Sequence, residues 1–248
     1  MNKPQNHTVT CHACSLNVIC VPQSLTPEEI DLVDSKVQRG RALQRNKHVF
    51  EDGQKFTSLY AVRSGAIKAY SVDQNGEEQV IGFYLPGELF GLDAIHNDAY
   101  VSSAKALETS AVCELPFNQV TELSANIHNL QAHMYKTLSK EINTDQQFHR
   151  LLSKKTAEER IATFLQNLSE RYQRRKLSPT SFRLPMSRTD IGNYLGLAVE
   201  TVSRVFTRLQ QNEILKVDGK ELQILDLRKL FDIAHHEGCD FRAKVHPQ

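Results

Sequence analysis

The hydrophobic positions change their period along the chain. From residue 24 to about 114, brief apolar runs such as 59–62, 67–72 and 79–85 are cut by turn residues. Gly53, Gly65, Gly76 and Gly87 punctuate them every eleven or twelve residues. Short strands at regular spacing between turn signals predict a β-roll or barrel. Asn75-Gly76 between two such runs predicts a tight hairpin, because glycine tolerates the positive φ that the turn demands. A further strand is predicted over 110–115.

Over 117–152 there is neither Gly nor Pro, and the period becomes helical. Leu123, Ile127, Leu130, Met134, Leu138, Ile142, His149 and Leu152 fall on one face at 100° per residue. One helix of about 35 residues would run roughly 50 Å at 1.5 Å per residue. A stripe of that length needs cover: part from the β-roll, the rest from a second copy of the chain packed as a coiled coil. Asp145 lies on the stripe, where two copies bring like carboxylates together unless the helices splay and admit water.

Residues 153–227 are helical and then alternate in short segments. An amphipathic helix is predicted over 157–172, and Arg174, Arg175 and Lys176 after it read as a solvated face. Ser187-Arg188-Thr189-Asp190 has the form of a helix start, with Ser187 as cap and Asp190 in the positive first turn. Ile191, Tyr194 and Leu195 face inward, Gly196 ends the helix, and Val202, Val205, Phe206 and Leu209 line the inner side of a second. That order predicts a helix-turn-helix, with a plain helical hairpin as the alternative. The outward residues favour DNA: Glu200, Thr201, Ser203, Arg204 and Arg208 lie where a recognition helix meets base edges. Arg204 can contact guanine bidentately, Glu200 can accept from cytosine N4, and Ser203 can reach base or backbone. The segments 214–217 and 221–225, joined at Asp218-Gly219, read as a two-stranded wing.

Composition is that of an ordinary globular chain, 40 % hydrophobic and 24 % charged over 248 residues, enough for two modest domains. With 30 basic against 29 acidic residues, global charge announces no nucleic acid, so a DNA partner rests on the local site. Residues 1–9 lack the apolar core of a signal peptide, and apolar runs such as 80–85 are too short to span a bilayer. The expectation is a soluble, cytoplasmic protein with no membrane partner. There the five cysteines serve as ligands, redox groups or buried thiols rather than structural disulfides. Cys11, Cys14 and Cys20 form C-x2-C-x5-C, and Cys113 lies on the strand predicted over 110–115. Such thiolates can converge on one soft metal centre. By chemistry alone an iron–sulfur cluster, zinc and redox thiols all stay open. Cys239 reads as a bystander in a polar tail, and His7 and His12 as surface residues. No phosphate loop, metalloprotease motif or nucleophile–base set points to an enzyme.

The run LPMSRTDIGNYLGLAVETVSRVFTRLQ resembles the recognition motif of the CRP/FNR superfamily, and the E-T-V-S-R stretch at 200–204 is closest to its FNR branch. The resemblance covers nearly the whole chain. It implies an α+β fold: a cysteine-rich segment over 1–23, a cyclic-nucleotide-binding-like β-roll over 24–116, a long dimerisation helix over 117–152, a winged helix-turn-helix over 153–230 and a tail over 231–248. It implies a [4Fe–4S] cluster, one per subunit, held by Cys11, Cys14, Cys20 and Cys113, with Ser15 tuning its oxygen sensitivity. Oxygen would convert the cluster to a [2Fe–2S] form and weaken a homodimer whose interface includes Ile142 and Asp145. Glu200, Ser203 and Arg204 would read an inverted repeat of TTGAT-type half-sites, and Ser187 and Arg188 join them as DNA-binding residues. Ala198, where the family usually carries Thr, cannot cap through an oxygen, at a cost of about 1 kcal/mol. RNA polymerase contact is implied for the hairpin tip 73–76 and for a loop at Phe117-Asn118. A zinc, thiol-redox or cyclic-nucleotide input is the alternative. Cyclic nucleotide is not expected, because the stretch 100–104 has no Arg where the family's nucleotide binders place one, and an unpaired phosphate is costly to bury.

Overall fold

The computed structural model describes residues 9–235, so His7 and Cys239 lie outside the described residues. The chain divides into two compact units, Met1–Gln146 and Gln147–Gln248.

In the first unit, a 3₁₀ turn at Val21–Ser24 leads into α1 (Pro27–Asp34). The helix starts on a capping box in which Thr26 and Glu29 satisfy each other's backbone N–H. Its T-P-E-E signal stands in the sequence, in a region where only strands are expected from the apolar pattern. Eight strands follow: β1 (Gln38–Arg39), β2 (His48–Phe50), β3 (Ser58–Ser64), β4 (Ile67–Val72), β5 (Glu78–Tyr84), β6 (Leu89–Phe90), β7 (Ser103–Ala106) and β8 (Ala111–Pro116). They form two antiparallel sheets, ordered β1-β8-β3-β6 and β2-β7-β4-β5. Between them Phe50 stacks on Tyr100 at 3.9 Å, and Tyr60 and Phe90 complete an aromatic core. The predicted hairpin joins β4 and β5: Gly76 has φ 82°, and Asp73 accepts the N–H groups of Asn75 and Glu77.

The single helix expected over 117–152 is two, α2 (Phe117–Asn126) and α3 (His128–Lys154). Ile127 between them is extended, with φ −110° and ψ 93°, and is only 4 % exposed. Turning there puts Val120 of α2 and Leu130 of α3 into one core. Burying a large apolar side chain is worth about 1.5–3 kcal/mol, against roughly 0.5–1.5 kcal/mol for one helical hydrogen bond. Tertiary burial therefore overrides a helical period that no Gly or Pro interrupts. The loop expected at Phe117-Asn118 is instead the first turn of α2, with Phe117 packed on Phe56 at 5.0 Å.

The second unit takes the end of α3, then α4 (Ala157–Arg174), β9 (Ser181–Arg183), α5 (Arg188–Leu195), α6 (Val199–Gln211), β10 (Leu215–Asp218), β11 (Glu221–Ile224) and α7 (Leu227–Ala234). The wing has three strands rather than two, because β9 pairs with β11 through Phe182 opposite Leu222. Three residues are too few to show a period. Residues 231–234, expected in the tail, belong to α7, which Asp226 caps and which buries Leu230 and Ala234. Lys155 donates to the Ala234 carbonyl at 2.6 Å and closes that end.

Candidate functional site: a cysteine-lined cavity and a DNA-reading face

The amino-terminal segment runs as successive turns, with the Cys20 N–H donating to the Leu16 carbonyl at 2.9 Å. It is tied to the first unit at two places. The Cys11 N–H donates to Asp34 Oδ1 at the end of α1, at 2.7 Å. Ile19 abuts the turn at Gly87 before β6, where a Cβ would stand 2.6 Å from Ile19 Cδ1. On the sheet side, β8 carries Cys113 opposite Arg39 of β1 and Ala61 of β3. These ties bring Cys11, Cys14, Cys20 and Cys113 to the wall of one cavity, together with Val62, Arg39 and Arg63. All four are free thiols, partly buried.

Burial pushes the Cys20 thiol up to about 12, reinforced by Cys113 and Cys14 nearby and opposed by a hydrogen bond from the Val21 backbone. Burial and then Asp34 push Cys11 up to about 12 as well. Burial also raises Cys113, against the pull of Arg39 and Arg63. Arg39 Nη2 donates to Cys11 Sγ at 3.3 Å and pairs with the same Asp34 oxygen that Cys11 uses. Neither Arg39 nor Asp34 is legible as a site residue in the sequence, because no motif marks them. Ser15 is exposed between its cysteine neighbours, and His12 bonds Asp31 at 3.0 Å.

The donor set suits a thiolate-ligated centre, because four soft sulfurs and two cations share one partly desolvated cavity. Among the described residues no three or more His, Cys, Asp or Glu are drawn closely enough to grip a single metal ion. Immediately after Cys20, Val21 is 3 % exposed and lines an adjoining apolar cavity with Val33, Leu115, Leu130 and Met134. The cysteine segment thus runs directly into the packing beneath α3.

In the second unit, Ser187 caps α5 as predicted: it accepts from the Asp190 N–H, and Asp190 accepts from the Ser187 N–H. Gly196 ends α5 at φ 64°. Ala198 precedes α6 without a side-chain cap. Val202, Val205, Phe206 and Leu209 are buried, which leaves Glu200, Ser203 and Arg204 exposed along one face of α6. Arg204 is steadied by Thr201 at 3.1 Å, and Arg208 is held by Glu158 at 3.0 Å. Arg188 lies 3.2 Å from the Phe206 ring centroid. Burial lowers its pKa to about 10, and among the described residues it has no acidic partner. A cation left uncompensated beside a recognition helix is suited to a phosphate.

On α3, Tyr135 and Ile142 are 64 % and 60 % exposed, and Asp145 is exposed one turn beyond Ile142. The hairpin tip 73–76 is exposed too. No helix among the described residues is long and apolar enough to cross a membrane.

A β-roll followed by a helix-turn-helix whose outer face is polar and basic defines a two-unit DNA-binding regulator. The cyclic nucleotide-binding domain family matches residues 40–126, and the Crp-like helix-turn-helix domain family matches 159–233. The chain belongs to the CRP/FNR superfamily, among its anaerobic regulators. It is 52 % identical to the transcriptional activator protein anr of Pseudomonas aeruginosa, over 93 % of each chain. It is 45 % identical to the fumarate and nitrate reduction regulatory protein of Escherichia coli (strain K12), over 92 % of this chain and 91 % of that one. The structure of FixK2 from Bradyrhizobium japonicum superposes with a TM-score of 0.73 at 26 % identity, covering 79 % of this chain and 96 % of that chain. The protein is a DNA-binding transcription activator of anaerobic regulation, not an enzyme.

Proposed function

We propose that the protein is an oxygen-responsive regulator whose Cys11, Cys14, Cys20 and Cys113 thiolates hold one [4Fe–4S] cluster per subunit. The observation that carries this reading is that the amino-terminal trio and Cys113, far apart in sequence, line one cavity. When bound, such a cluster would supply an iron–sulfide core that oxygen can degrade, held by these thiolates. The chain's own residues do the rest. Holding Cys20 holds Val21 in the apolar packing under Leu130 and Met134, and so steadies the start of α3. A steady α3 presents Ile142 to a second copy of itself, and Asp145 opposes that pairing through like-charge repulsion. The homodimer offers two α6 helices to an inverted repeat of TTGAT-type half-sites about one helical turn apart. Glu200, Ser203 and Arg204 read bases, while Ser187 and Arg188 meet the backbone. RNA polymerase is met through the exposed tip 73–76, in the cytoplasm, and Ser15 sets the cluster's exposure to oxygen.

Cyclic nucleotide is not the proposed input. Ser102, 2 % exposed, donates to Asp93 at 3.0 Å, so a carboxylate stands close to the stretch that would have to carry the missing arginine. A phosphate there would meet like charge. Anaerobic purification tests the main reading: iron and sulfide in the purified protein, lost in Cys113→Ser together with high-affinity binding to the repeat, are expected. A colourless wild-type protein containing zinc would overturn it.

A further inference from the structure

The side chain of Arg39 is nine-tenths buried, 9 % exposed, in the wall of the cysteine cavity. One nitrogen, Nη2, is shared between Cys11 Sγ and Asp34 Oδ1, and Nη1 donates to the Val37 carbonyl at 3.4 Å. The Nε–H has no acceptor among the described residues. A buried donor left unmade is costly, so such a group calls for an acceptor. The strand register sets Arg39 directly opposite Cys113, while its Nη2 reaches Cys11, so this one side chain bridges the two halves of the thiol set. Arg63 also lines the cavity, but its side chain makes no hydrogen bond among the described residues.

Resting on the thiolate-centre reading, we propose that Arg39 is the positioning residue of the cysteine site. It pins Cys11 to the β-roll through Asp34 and donates its free Nε–H to a sulfur of the bound centre. Four thiolates leave an iron–sulfur centre net negative, and a buried negative group is stabilised by hydrogen-bond donors fixed in advance. Arg39 supplies the donor in a fixed fork, which a lysine reproduces only as a point charge.

The test compares wild type with Arg39→Gln, Arg39→Lys and Arg63→Gln. Each is reconstituted with iron and sulfide without oxygen, and the loss of iron to a ferrous chelator is timed. Hydrogen exchange over residues 11–20 is measured on the apo-proteins. Arg39→Gln is expected to release iron about tenfold faster, within the range of outer-sphere substitutions at metal sites. Its 11–20 amides should exchange several-fold faster while β3 stays protected. Arg39→Lys should fall between, and carries the test if Arg39→Gln loses β3 protection. Arg63→Gln, which removes charge but no hydrogen bond, should leave 11–20 exchange at the wild-type value. Wild-type behaviour of Arg39→Gln in both measurements overturns the proposal, as does Arg63→Gln matching it. If wild type itself takes up no iron and sulfide, the thiolate-centre reading falls as well; if it loads and Arg39→Gln is indifferent, only the role of Arg39 falls.

Discussion

Gly87→Ala separates the docking of the cysteine segment from the stability of the β-roll. Gly87 has φ +92°, and its N–H donates to the Val62 carbonyl at 2.8 Å, which fixes the turn to β3. An added Cβ would stand 2.6 and 2.8 Å from Ile19 Cδ1 and Cγ1. Two costs follow. A left-handed backbone with a side chain costs about 1–2 kcal/mol, and overpacking costs about 1–3 kcal/mol. Gly76→Ala is the control, because Gly76 has φ +82° with nothing within 4 Å of its Cβ, and so carries only the first cost. The excess falls on Ile19, whose segment can swing away more cheaply than β-strands can shift. It should appear as local opening rather than global unfolding. Hydrogen exchange of residues 11–20 in the apo-protein is expected to speed up between about 5-fold and 150-fold in Gly87→Ala, from 1–3 kcal/mol of overpacking. Gly76→Ala should leave it unchanged, with both variants similar in urea midpoint. Ile19→Ala in the Gly87→Ala background should recover part of the loss, a coupling that a double-mutant cycle reads directly. Equal exchange in the two single variants, or no recovery in the double variant, would show that Ile19 docking does not depend on Gly87.

Three other outcomes are expected. Arg204→Ala should cost about 1–3 kcal/mol of binding at its cognate base pair and relax discrimination there, measured by titration against matched and substituted half-sites at fixed salt; an unchanged base preference counts against α6 as the reader. Asp145→Ala should tighten self-association of the apo-protein in sedimentation equilibrium, by roughly the fraction of a kcal/mol to 1 kcal/mol of an exposed charge interaction, and identical association constants would remove Asp145 from the interface. His133 on α3 has its pKa lowered, by burial first and then by Lys136 and Lys140. A depressed imidazole favours the folded state above the unfolded pKa near 6.5 and loses that contribution as pH falls through the folded value. Stability should therefore decline below about pH 6.5, more steeply in wild type than in His133→Gln; parallel urea midpoints across that window would count against it.

Elements that local chemistry dictates are legible in the chain alone. Asn75-Gly76 specified its hairpin, Ser187 with Asp190 specified the start of α5, Gly196 its end, and the period of α6 left Glu200, Ser203 and Arg204 outward. Each depends on residues within one turn of one another, so spacing suffices. Tertiary structure decided what depends on contacts between distant segments. The break at Ile127 exists because α2 and α3 both bury side chains against one core, which no local signal announces. Strand β9 is three residues long and is a strand only because β11 lies beside it. The C-x2-C-x5-C spacing named candidate ligands but could not say whether Cys113 would face them; the register of β8 against β1 and β3 decided that. Arg39 and Asp34 were illegible for the same reason: an arginine and an aspartate are ordinary surface residues until folding sets them beside a sulfur and takes away their water.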